Sequence, residues 1–262
     1  MTRRVVEHYD AYIYTPLAEE YMGPGGFANF GYWDGSAADA HAASCRLMEE
    51  LLTFLPERRG RILDVACGKG GTTQYLSNAF PAESVMGINI SEKQIRTARE
   101  RAPSCEFLVA DAVDLPFADG TFEHVLCVEA AFHFYTRERF FREAFRVLRP
   151  GGRLVLSDVL LAEGAGQRRQ IFYEENYVPD VAAYIALGRR AGFEEVEIRD
   201  ATAACWHGHF WNLVTFAHRK LLAGHLDSGQ LQGALDKVYR LTRDLRYYLL
   251  AALHKPRAGG TL

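Results

Sequence analysis

Between residues 60 and 160, short apolar runs alternate with stretches whose apolar positions recur at helical spacing. The runs Arg61–Val65, Ser84–Ile88, Glu106–Val109, His124–Val128 and Arg153–Ser157 predict strands, and Ser91–Arg101 and Arg137–Leu148 predict helices between them. Strand–helix alternation of this kind predicts a parallel sheet joined by right-handed crossovers. Pro150-Gly151-Gly152 breaks the chain just before the fifth strand. Upstream, Leu47, Leu51 and Leu55 mark a helix, with Ser36 as its cap, Asp39 in its first turn and Pro56 as its stop. Downstream, Pro179–Ala191 predicts a helix ended by Gly192, Phe193–Arg199 a strand and Trp206–Leu222 an apolar helix. Arg246–His254 fits helix or strand by pattern. Its Tyr-Tyr-Leu-Leu run before Lys255-Pro256 favours a short final strand at a sheet edge.

The chain shows no internal repeat, and its 262 residues suit one large α/β domain. Residues 1–57, rich in aromatics, are expected to form an N-terminal helical cap segment. Residues 58–262 form the main domain, with an inserted lid at about 160–179. That lid carries Phe172, Tyr173 and Tyr177 together with Glu163, Glu174 and Glu175. Apolar residues make up 48% of the chain, enough for a sizeable core, and the formal net charge is −3. No bulk attraction to nucleic acid or to an anionic membrane follows from that charge, so neither is expected as a partner. Arg137, Arg139 and Arg142 are interspersed with acids and read as a solvated helix face. The five cysteines, Cys45, Cys67, Cys105, Cys127 and Cys205, have no C-x-x-C spacing and suggest neither a disulfide framework nor a metal site. With no leader-like start and no membrane-length apolar run, a cytoplasmic location is expected.

The strongest local pattern is Ile62-Leu63-Asp64-Val65-Ala66-Cys67-Gly68-Lys69-Gly70-Gly71-Thr72. A buried strand runs into a turn of small residues and then into a helix beginning near Thr72. Small residues let the backbone approach a ligand closely, and a helix start turns free N–H groups toward a negative group. The D-x-A-x-G-x-G spacing departs from the G-x-G-x-x-G loop that grips a dinucleotide pyrophosphate, and no Gly-Lys-Ser/Thr closes it as a P-loop. It favours a cofactor whose anchor is a carboxylate, as in S-adenosylmethionine. Asn89 and Ile90 after the second strand fall where a ribose is met, with Gln94 in the helix behind them. Asp111 and Ala112 after the third strand fall where adenine is met, and Glu129 and His133 follow the fourth.

LDVACGKG, GINIS, ADAVDLPF, VEAAFHF and VLRPGGRL resemble, in order, the motifs of class I S-adenosylmethionine-dependent methyltransferases. The likeness is to the ubiquinone-, tocopherol- and sterol-type enzymes and to the small-molecule methyltransferases of antibiotic pathways. It runs from NFGYWD at residue 29 to about residue 160, and AGFEEVEIRDAT and YYLLAALHKP resemble the family's last two strands. The resemblance implies a Rossmann-like doubly wound α/β fold with a seven-stranded sheet whose last strand is antiparallel. It also implies S-adenosylmethionine as cofactor, S-adenosylhomocysteine as product and a small-molecule acceptor methylated on oxygen or carbon. Two positions depart from the family. Ala66 replaces the first glycine of the loop, and a negative φ is expected there. Asn89 stands where the family carries Asp or Glu, leaving a ribose contact without charge assistance.

At the cofactor the expected residues are Tyr32, Trp33, Asp64, Ala66, Gly68, Gly70, Asn89, Ile90, Gln94, Asp111, Ala112 and Glu129. The resemblance makes His133 the candidate base. Glu129 is read as orienting the substrate in catalysis or bonding the cofactor's ammonium, against a plain structural hydrogen bond, and His133 against packing beside the cofactor. Tyr9, Tyr14 and Tyr21, with Tyr32 and Trp33, are read as closing over the cofactor or as packing aromatics. His133, Tyr177, Trp206, His207 and Trp211 are the expected acceptor contacts. An aromatic lid favours an apolar acceptor. A homo-oligomer is compatible with the chain. The alternatives are a family member that binds the cofactor yet catalyses a cyclisation or another non-methylating step and, behind it, a nicotinamide-dependent oxidoreductase. A protein or RNA methyltransferase is disfavoured by the missing basic groove.

Overall fold

The computed structural model of the chain describes residues 2–165 and 172–257. Strands β1 (Ile62–Val65), β2 (Val85–Asn89), β3 (Glu106–Val109), β4 (Phe122–Val128), β5 (Leu148–Leu161), β6 (Glu195–Asp200) and β7 (Leu245–His254) form one sheet in the order β3-β2-β1-β4-β5-β7-β6. β1 to β5 are parallel, and β7 runs antiparallel to both β5 and β6. The seven-stranded Rossmann-like sheet with an antiparallel last strand is therefore present. The edge position expected for that strand is not: β7 lies between β5 and β6, and β6 is the edge. The side chains explain the exchange. Tyr248 to Leu253 are fully buried without interruption, which requires cover on both faces, whereas β6 alternates Glu195, Glu197 and Arg199 with smaller apolar residues.

Around the sheet lie helices α1 (Thr2–Tyr12), α2 (Pro16–Met22), α3 (Ala40–Leu52), α4 (Gly71–Leu76), α5 (Glu92–Arg101), α6 (Arg137–Val147), α7 (Val181–Arg190), α8 (Gly208–Leu222) and α9 (Ser228–Asp244). The period-2 geometry of the strands sends alternate residues into two cores. Leu154, Leu156, Leu249, Ala251 and Leu253 face α6 and α7, while Val155, Val159, Tyr248, Leu250 and Ala252 face α3 and the α8–α9 side. Leu47, Met48, Leu51 and Leu52 of α3 belong to that second core.

Several boundaries differ from the sequence expectation. Asp39, not Ser36, caps α3, accepting from the Ala42 N–H at 2.8 Å, while Ser36 is turned onto Asp34. The helix ends at Leu52, four residues before Pro56. The fifth strand runs on to Leu161, so the region read as a lid begins inside the sheet. Residues 166–171 of that lid lie outside the described residues. Its return is pinned at the buried Asn176, whose side chain accepts from Arg137 N–H at 2.6 Å and donates to Ala131 O at 3.0 Å. Before α8 the chain makes one π-helical turn over Ala203–His207. Among the described residues no helix is long and apolar enough to cross a membrane.

Candidate active site

The strand order reverses between β1 and β4, and such a switch leaves a crevice beyond the carboxyl ends of the strands. A cavity enclosing about 960 Å³ of empty space, its mouth included, lies there. Its walls are Ala66 and Gly68 after β1, Asn89 to Ser91 after β2, Ala110 to Ala112 after β3, and Val128 to Ala130 with His133 after β4. Its roof is α1, which supplies Val5, Val6, Tyr9 and, one residue past its end, Ile13.

Among the described residues the two non-glycine residues with positive φ both line this cavity: Ala66 at +61° and Glu129 at +54°. The negative φ expected for Ala66 is thus overturned. A left-handed alanine costs roughly 1–2 kcal/mol, and strain of this kind tends to gather where a site needs a backbone in one particular place. Gly68 (φ +55°) is the open point of the loop. A Cβ built on it would come no nearer than 3.8 Å to its closest neighbour, Gln94 Oε1, so the backbone here opens onto the cavity. Gly70 does not share that role. Its Cβ would strike the Ala98 backbone at 2.8 Å, which makes it a packing contact with α5 rather than a cofactor contact.

Asp64 sits behind the loop, where one oxygen accepts from both Thr72 Oγ1 and Thr73 Oγ1 at 2.6 Å. Burial pushes its carboxyl up to about 6 against the pull of those two hydroxyls, and the arrangement ties β1 to α4. Lys69 is buried and reaches the other way: its Nζ donates to Ile13 O at 2.9 Å and pairs with Glu19 at 3.4 Å. The glycine loop thereby holds the end of the roof helix.

Glu129 Oε2 accepts from Phe30 N–H at 2.9 Å and from Tyr248 OH at 2.8 Å, joining the N-terminal segment to β7 across the cavity wall. Burial pushes its carboxyl up to about 8, outweighing those two hydrogen bonds. A raised value means that the folded state holds the proton better than the unfolded chain, whose carboxyl titrates near 4.5. The contribution to stability is complete below that value and is lost as the pH rises through about 8. Thermal melts of the cofactor-free protein against pH are expected to show this loss as a difference between wild type and Glu129→Gln. Superimposable profiles over that window would remove the assignment.

His133 is buried in the wall, with Nε2 2.6 Å from Tyr9 OH, and its ring stacks on Phe172 at 5.0 Å and 11°. Burial first, then the Glu129 charge, pushes the Tyr9 hydroxyl well above its ordinary range, which keeps it protonated. Phe172 opens onto a second cavity, about 720 Å³ of empty space with its open mouth included, lined also by Phe132, Glu163, Glu174, Tyr177 and Val178, and Tyr173 lines both cavities.

The family model described as a methyltransferase domain matches residues 63–156, from the first strand into the fifth. The 27-O-demethylrifamycin SV methyltransferase of Amycolatopsis mediterranei is 37% identical over 186 residues, which are 66% of this chain and 68% of that protein. The chain belongs to the S-adenosylmethionine-dependent methyltransferases. The O-methyltransferase rstn1 of Aspergillus nomiae is also similar to the methyltransferase, at 34% identity over 201 residues covering 71% of this chain and 88% of the relative. In fold it resembles the [4+2]-cyclase SpnF, with a TM-score of 0.76 and 22% identity over 98% of each chain. The methyltransferase uses S-adenosylmethionine as its cofactor.

Of the residues expected at that cofactor, Ala66, Gly68, Asn89, Ile90, Gln94, Asp111, Ala112 and Glu129 line the first cavity. Asp64, Tyr32 and Trp33 are not among its lining residues. Trp33 instead donates from Nε1 to Phe30 O at 2.8 Å and covers Gly208, and Tyr32 lies under the Arg46 guanidinium. Tyr9 reaches the cavity. Tyr14 and Tyr21 do not: one bonds Thr97 and the other His209. Among the expected acceptor contacts, His133 lines the first cavity and Tyr177 the second. Trp206, His207 and Trp211 line neither. Within the π-helical turn Trp206 points inward against Phe30 and His209 and His207 is exposed, and Trp211, on α8, is 65% exposed. Sequence reasoning missed Val5, Val6 and Ile13, although their i, i+3 and i+4 spacing with Tyr9 is an apolar stripe on a helix.

Proposed function

We propose that the methyltransferase transfers a methyl group to a hydroxyl oxygen of a small, largely apolar natural product, with His133 as the base. The observation that carries this reading is the place of His133 at the junction of two cavities: it lines one and stacks on Phe172 of the other. The cofactor supplies an electrophilic sulfonium methyl. The residues suited to hold it are Gly68 and Ala66 at the methionine end, Asn89 at the ribose, and Asp111 and Ala112 at the adenine. Glu129 suits the ammonium, since its buried carboxyl gains a counter-charge there.

The acceptor belongs in the second cavity, among Phe132, Phe172, Tyr173 and Tyr177. As the new C–O bond forms and the methyl leaves sulfur, the acceptor's O–H proton passes to His133 Nε2. The Tyr9 hydroxyl now bonded to that nitrogen marks where an acceptor hydroxyl can sit. Bringing the oxygen onto the methyl–sulfur line is the remaining task, and the stacked wall of Phe132, His133 and Phe172 supports it by restricting the angle of approach. Five free cysteines support a reducing compartment such as the cytoplasm. The rifamycin and rstn1 relatives favour oxygen over carbon as the methylated atom.

The test is a labelled-methyl assay across hydroxylated polyketides, macrolides and prenylated phenols. Label recovered in an O-methyl product supports the reading. Cofactor binding with a changed acceptor that carries no label would favour the cyclisation alternative, whose support is the fold likeness to a cyclase.

A further inference from the structure

Family resemblance leads one to expect a carboxylate at the end of β2, and this chain has an amide there. A carboxylate nevertheless stands two hydrogen bonds away, on a different element. Asn89 Nδ2 donates to Gln94 Oε1 at 2.9 Å, and Gln94 Nε2 donates to Asp10 Oδ1 at 2.7 Å. Ser91 Oγ lies 2.9 Å from each oxygen of Asp10, and Lys93 Nζ donates to the Asp10 backbone carbonyl at 3.2 Å. Asn89 and Gln94 are 8% and 6% exposed, so neither amide can turn its ends toward bulk water.

The direction of this relay follows from donor chemistry. An ionised carboxylate only accepts, so Gln94 must offer Asp10 its NH₂ group. Its carbonyl then faces Asn89, which must offer its own NH₂ in turn. What remains to Asn89 on the cavity side is Oδ1, an acceptor.

We infer that Asp10, on the roof helix α1, is a positioning residue that sets Asn89 as the hydrogen-bond acceptor for the cofactor's ribose hydroxyls. The inference rests on the proposed ribose contact of Asn89. Its consequence is that ribose capture depends on the roof: the acceptor is fixed only while α1 is seated. Alignment of two amides by one charge also polarises the chain of bonds, so the terminal oxygen accepts more strongly than an isolated amide.

The experiment measures S-adenosylhomocysteine affinity by calorimetry in single and paired variants. Asp10→Ala is expected to weaken binding about fivefold, the scale of one lost or misoriented hydrogen bond. Asp10→Asn, whose carbonyl still accepts from Gln94, recovers most of that loss. In an Asn89→Asp background residue 89 accepts whichever way it turns, and there Asp10→Ala costs less than about twofold. Equal losses in the two backgrounds would make Asp10 a mere anchor of α1 and overturn the inference. So would an Asp10→Ala variant of wild-type affinity, or an Asp10→Asn variant as weak as Asp10→Ala. Asn89→Ala separates the two readings. Wild-type affinity in that variant removes the ribose contact itself, whereas weakened binding there with no effect at Asp10 removes only the relay.

Discussion

Replacing His133 by alanine is expected to lower methyl-transfer turnover about 10²- to 10⁴-fold, the usual worth of a positioned base. Cofactor affinity should stay within about threefold, because the ring faces the junction of the cavities while Ala66, Gly68, Asn89 and Asp111 line the cofactor side. An unactivated hydroxyl is a poor nucleophile toward a sulfonium methyl, and proton removal is the one service this wall can add to orientation. Imidazole suits it because its charge changes near neutral pH. Single-turnover assays with a labelled methyl group check the prediction. A His133→Ala enzyme with an unchanged rate would leave the histidine as packing only. Tyr9→Phe is the companion measurement. It removes the hydroxyl from Nε2 but keeps the edge-on ring contact at 5.2 Å, so a loss there reports on the hydrogen bond and not on the roof.

Gly68→Val is expected to abolish measurable cofactor binding, a loss of more than about a hundredfold, while the protein still folds. Two costs add. A β-branched side chain at φ +55° is held in a region it scarcely visits, at roughly 1–2 kcal/mol. The added methyl groups also occupy the one side of the loop that meets no protein atom nearer than 3.8 Å, which is the space a bound group needs. Gly70→Val is the control for folding. Its clash is with the α5 backbone at 2.8 Å, so it should lower the melting temperature outright. Binding and melting measured on both variants decide the matter: a Gly68→Val protein that binds with wild-type affinity would place the cofactor elsewhere.

Much of this was legible along the chain. Strands β1, β2, β4 and β5 could be read along the chain because they are largely buried on both faces and so appear as apolar runs, whereas β3, at the sheet edge, is exposed at three of its four positions. The floor of the cavity could be read for the same reason, since Gly68, Asn89, Asp111 and His133 each follow a strand by a few residues. α9 is also legible: Asp227 and Gln230 form a capping box, and Leu231, Val238 and Leu241 recur on one face. Two kinds of error remained. Ser36 was chosen over Asp39 as a cap because both types suit the position, and only the turn onto Asp34 distinguishes them. Trp206, His207 and Trp211 follow the sixth strand, where the family resemblance places the acceptor pocket. Trp206 and His207 share one π-helical turn yet face opposite ways, one buried and one exposed, while Trp211 lies on the exposed side of α8.

The strand–helix alternation, the cofactor loop and the family could be read from the chain alone, because these rest on patterns that are local and periodic. The tertiary structure decided the rest. It placed β7 between β5 and β6, it put Ala66 and Glu129 in the left-handed region, and it laid α1 over the cavity. The contacts Tyr9–His133 and Asp10–Gln94 join residues separated by 124 and 84 positions. Such pairings are chosen by the packing of the whole chain, not by the propensities of either partner, and no local pattern records them.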